Sequence, residues 1–99
     1  MRQEDNRASL ILPGDVILGR RDVVDEIPYG RVWYNGRWLP ISLGADAAFL
    51  VLSVDWDLDD EVELDMVSLE TGDGKKMLFA IEANALSTKL TVVRGRECR

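Results

Sequence analysis

Asn35-Gly36 stands between two aromatic-rich runs in "RVWYNGRWLPI". Asn-Gly suits a two-residue type I′ turn, because both central residues of that turn take positive φ. A hairpin closed there has one register, with Tyr34 facing Arg37 and Trp33 facing Trp38. The two tryptophans then share one face, where aromatic cross-strand pairs contribute about 0.2–1 kcal/mol each. Pro40 has no amide donor, which places it at its strand's end or on an outer edge.

The rest of the chain has the same short period. "SLILPGDVILG" reads as a strand, a turn at Pro13-Gly14 and a second strand over Asp15 to Gly19. "RRDVVDEIPYG" has no clear period and reads as a connection. "ADAAFLVLSV" is apolar on both parities, as for a strand covered on two faces. "MLFAIE" and "KLTVV" read as further strands, and "ANALST" as one helical turn or a loop. Short strands between turn signals predict an all-β fold, a small single-domain antiparallel β-sandwich or barrel built from hairpins. The domain is expected over residues 8–94, with a flexible N-terminal tail over 1–7 and a basic C-terminal tail over 95–99.

Residues 54 to 66, "VDWDLDDEVELDM", carry seven carboxylates and no positive charge. Val54, Trp56 and Leu58 alternate with Asp55 and Asp57, and Val62, Leu64 and Met66 alternate with Glu63 and Asp65. A three-residue loop at Asp59-Asp60-Glu61, or a longer odd-numbered one, keeps apolar residues on one face. The shortest version pairs Leu58 with Val62, Trp56 with Leu64, Val54 with Met66, Asp57 with Glu63 and Asp55 with Asp65. A turn at Asp73-Gly74 then sets Ser68 opposite Phe79 and Met66 opposite Ile81. The reverse face is expected to be apolar at Val51, Val67, Leu69 and Leu78 and acidic at the other end. Carboxylates two apart on a strand lie about 6.5–7 Å from each other, so the acids form a grid.

Composition narrows the chemistry. The chain has 99 residues, a net charge of −6, one cysteine and no histidine. The missing histidine removes histidine-based catalysis and histidine-ligated zinc. A lone Cys98 forms no internal disulfide and fits a reducing, cytoplasmic setting. The net charge disfavours direct binding of nucleic acid or anionic lipid, although Arg94, Arg96 and Arg99 make a small basic tail. No apolar run approaches the roughly 20 residues that span a bilayer, and the polar N-terminus is not a secretory signal. Paired acids on an open sheet face lack the pocket that carboxylate hydrolysis needs. The chain is therefore read as non-enzymatic.

Three functions compete for the acids. They form a solvated face, a divalent cation site, or a surface for a basic partner. The solvated face is the leading reading of the acids by themselves; the function read for the chain as a whole is a protein-interaction module whose acidic face comprises Asp55, Asp57, Asp59, Asp60, Glu61, Glu63 and Asp65. An accessory or inhibitory role toward a nucleic-acid-handling enzyme is its sharper form, since rows of carboxylates imitate a phosphate backbone. Trp33, Tyr34, Arg37 and Trp38 are the types that dominate interface hot spots and give a second contact. The reading favoured over that one has one tryptophan face sealing the open side of the sandwich, with Arg37 stacked on Tyr34 outside. The cation alternative needs no resident cofactor other than calcium, held by Asp55, Asp57, Asp59 and Asp60. The D-x-D-x-D spacing resembles an EF-hand, but Asp60 stands where glycine is needed and Met66 where glutamate is. A further alternative is a structural subunit of a larger assembly; the oligomeric state is left open.

The same stretch, followed by "GDGKK", is similar to the W-D…D-x-D-L-D element of tellurite-resistance TerD-type β-sandwiches, with Glu63-Leu64-Asp65 in the place of Asp-Leu-Asp. That resemblance implies a calcium-binding β-sandwich.

Overall fold

The computed structural model describes residues 11–21, 27–55 and 60–95. Among the described residues, seven strands and one short helix follow in the order β1 (Val16–Gly19), β2 (Gly30–Tyr34), β3 (Arg37–Ile41), β4 (Ala48–Asp55), β5 (Glu61–Ser68), β6 (Lys76–Glu82), α1 (Ala83–Thr88) and β7 (Leu90–Val93). The strands form one antiparallel sheet, ordered β3-β2-β6-β5-β4-β1-β7. The fold is thus mostly β and antiparallel, as expected, and its single sheet is open. Residues 8–10 lie outside the described part; Ile11 and Leu12 are not in a strand and lead into the Pro13-Gly14 turn.

The β2–β3 hairpin closes as its sequence requires. Asn35 has φ 52° and Gly36 φ 81°, and Tyr34 pairs with Arg37 and Trp33 with Trp38. Tyr34 and Arg37 close the two-residue turn with mutual hydrogen bonds, and such pairs alternate along an antiparallel ladder. Pro40, opposite Arg31, therefore turns its donorless nitrogen to the sheet's open edge. That removes one anchor for an extra strand.

β5 supplies the core's spine. Its burial alternates residue by residue, with Val62, Leu64 and Met66 buried. Each fully buried side chain of this kind contributes about 1.5–3 kcal/mol. Leu64 pairs with Phe79 and Val62 with Ile81, and Phe79 packs edge-on against Phe49 at 5.0 Å between centroids. These pairings correct the expected ones, Ser68 with Phe79 and Met66 with Ile81. Asp73-Gly74 is not a two-residue turn. A longer loop over 69–75 takes its place, with Gly72 and Gly74 both at positive φ. The Ser68 hydroxyl accepts from the Glu70 and Thr71 amides at 3.2 Å each, and the Asp73 carboxylate from the Lys75 amide at 3.0 Å. The parity survives, so the same residues reach the core.

β4 holds a second correction. Its register shifts between Val51 and Ser53, leaving a bulge at Leu52. Upstream, Val51 faces Met66; downstream, Val54 faces Leu64. The extra residue lets Val51 and Val54 both point inward, although they differ in parity. Val51 is buried rather than on the reverse face.

α1 joins β6 to β7, which are four places apart in the sheet. Six helical residues rise about 9 Å, whereas four strand spacings span about 19 Å on a flat sheet. The sheet must curl, and α1 buries Ala85 and Leu86 in the same core. Its start is tied down where the Ala83 amide donates to the Asp60 carbonyl at 2.7 Å.

Candidate functional site

The registers fix what shares the outer face, the one turned away from this core. Trp38, Trp33, Leu78, Asp65 and Ser53 form one cross-strand row over β3-β2-β6-β5-β4. Pro40, Arg31, Ala80, Glu63 and Asp55 form the next. Strands are spaced about 4.8 Å, so Asp65 lies about 10 Å from Trp33. The aromatic hairpin and the acids, two separate surfaces from sequence, are halves of one face.

At the aromatic end Trp33 and Trp38 meet edge to face, centroids 5.3 Å apart and planes at 71°. Trp33 is 45 % exposed and Trp38 half-buried. The pair is on the outer face, so it does not seal the core. Tyr34 and Arg37 are exposed at the hairpin tip. The cation–π contact is not Arg37 on Tyr34. It is Arg31, whose guanidinium carbon sits 4.9 Å from the Trp38 ring centroid. Arg31 and Trp38 are diagonal neighbours on paired strands, within reach of long side chains.

At the acidic end the expected grid is rearranged. Asp55 faces Glu63, not Asp65, and Asp65 faces Ser53. The Ser53 hydroxyl donates to Asp65 at 2.8 Å, so one expected clash becomes a hydrogen bond. Asp55 and Glu63 remain a like-charged pair. Glu61 leaves the grid altogether, because its carboxylate accepts from Arg31 at 3.0 Å. Asp60 is exposed just before β5. Asp57 and Asp59 lie outside the described residues, as do Trp56, Leu58 and Cys98. Among the described residues, no three acids or other metal-ligating side chains cluster as a metal site would require.

Sequence reasoning missed Arg31 and Glu82. Glu82 faces Glu61 directly across β5–β6. Both border an open groove of about 360 Å³, whose walls include Pro28, Pro40 and Trp38. Arg31 has the same parity as Trp33, which marks it for the tryptophan face. Its meeting with Glu61 depends on the β2–β6 pairing, which no local signal announces.

The chain matches no protein-family model, and no curated protein or solved structure matches it significantly.

Proposed function

We propose that this chain is a non-enzymatic interaction module that docks a basic protein partner on its outer sheet face. The observation that carries this is the register placing Trp33 and Trp38 in one row with Leu78 and Asp65. Exposed tryptophan supplies a large, rigid contact and a π-face for a cation. Asp55, Glu63 and Asp65 supply the complementary charge two to three strands away, and the net charge of −6 steers a basic partner toward it. A partner seated there adds the second layer that turns one curled sheet into a sandwich. A nucleic-acid-handling enzyme is the sharpest candidate for that partner, and a reducing, cytoplasmic setting suits the lone thiol.

The test compares the wild type with D55N/E63Q/D65N in affinity capture at low and high salt. Asp55 is exposed and Glu63 and Asp65 are half-buried on the outer face, away from the core, and each replacement keeps the side chain's shape, so the variant keeps its fold and its dispersed β spectrum. The proposal expects specific partners that are basic, are lost by the variant, and are weakened by salt. Capture that is unchanged in the variant contradicts it.

A further inference from the structure

We propose that the groove beside Arg31 captures a basic side chain from an extended segment of the partner. This rests on the docking function above and names the contact that anchors it. Among the described residues, three charged groups border the groove: Arg31, Glu61 and Glu82. Arg31 and Glu61 neutralise each other at 3.0 Å, and Arg31 is further occupied by the Trp38 ring. Of the described groups, that leaves one net negative charge in the groove, on Glu82. That carboxylate is exposed, and it makes no side-chain cap on the helix that follows. It also faces Glu61, a like charge, on the next strand. Directly opposed like charges are unfavourable, and an incoming cation relieves them. An anion is disfavoured by the net charge, because the Arg31 guanidinium already meets Glu61 through its terminal nitrogen and its unpartnered Nε is buried, out of reach of the groove.

The walls suit the rest of such a side chain. Pro28, Pro40 and Trp38 give rigid apolar surface along which the aliphatic stem of arginine or lysine can lie. The groove is open rather than enclosed, which fits a side chain on an extended backbone better than a free small molecule. Its position at the Arg31 end of the outer face is continuous with the row of Trp33 and Trp38.

The test titrates the full labelled chain with two blocked peptides, Gly-Pro-Arg-Pro-Gly and its citrulline counterpart, followed by amide and indole NMR. The prolines hold both peptides extended, and citrulline keeps the shape while removing the charge. The arginine peptide should shift the Trp38 indole and Glu82 amide signals saturably. Citrulline, or the variant E82Q, should each weaken binding about fivefold, as expected for an exposed charge pair. Equal binding of the two peptides overturns charge capture in favour of a neutral proline groove. Absence of saturable shifts at Trp38 and Glu82 overturns the site. Shifts gathered on Asp55, Glu63 and Asp65 with a silent groove overturn it too, while leaving the docking face standing. Conversely, if E82Q weakens peptide binding about fivefold and D55N/E63Q/D65N keeps every captured partner, the groove stands and the wider face fails.

Discussion

Asp15 and Arg94, 79 positions apart in the chain, meet at 3.0 Å. Asp15 is 3 % exposed, and its carboxylate also accepts from the Leu12 amide at 3.0 Å and the Gly95 amide at 2.9 Å. One side chain thus ties the Pro13-Gly14 turn to the strand that ends the sheet. A carboxylate with this many donors, two of them backbone amides, is firmly held in its ionised form.

Asp15 makes folding stability acid-sensitive. Burial pushes its carboxyl up, but the Gly95 and Leu12 amides and the Arg94 guanidinium outweigh that and hold it below the ordinary 3.8. Between the folded and unfolded values the unfolded chain binds more protons, so stability rises with pH there. The contribution is complete above pH 3.8 and is lost as pH falls through the lower, folded value. D15N should cost about 2–3 kcal/mol at neutral pH. Urea titrations over the acid range should show a shallower loss in D15N than in the wild type.

Gly19 is packed too closely on the Gly44 backbone for a side chain. A Cβ at Gly19 would fall inside contact distance of the Gly44 carbonyl oxygen. The obstacle is backbone, which cannot swing aside, so G19A should cost about 1–3 kcal/mol. G44A is the control, with no atom near its would-be Cβ. Thermal melts of the two variants should separate clearly.

Much of this was open to sequence and some was not, for physical reasons. The Asn35-Gly36 hairpin was legible because both its turn dihedrals and its pairing are local. β5 was legible because Val62, Leu64 and Met66 alternate without interruption. β4 was misread before Leu52, at Val51, because a bulge adds a residue that no pattern of hydrophobicity marks. "TGDG" carries the residues of a tight turn, yet the Ser68 hydroxyl and two positive-φ glycines stabilise a longer loop. The groove was hidden because it needs β2 beside β6, strands separated by the whole β3–β5 region. Asp15 read only as the first residue of a strand, since its partner lies near the other end of the chain.

The tryptophan pair and the core should respond differently to truncation. Leu64 is fully buried, so L64A should cost about 2–5 kcal/mol. W33A removes an edge-to-face contact on an exposed face and should cost about 0.5–1.5 kcal/mol. Denaturant midpoints give both values. The near-ultraviolet signal of the coupled indoles should vanish in W33A while the far-ultraviolet β signal stays.

The most direct measurement is a salt-dependent affinity of the captured basic partner for three proteins: wild type, W33A and D55N/E63Q/D65N. If the outer face is one docking surface, both variants bind more weakly while remaining folded. Added salt then weakens the wild type and W33A, and has much less effect on the variant without those three carboxylates. If both variants bind as tightly as the wild type, with the same salt dependence, the outer face is not where the partner docks.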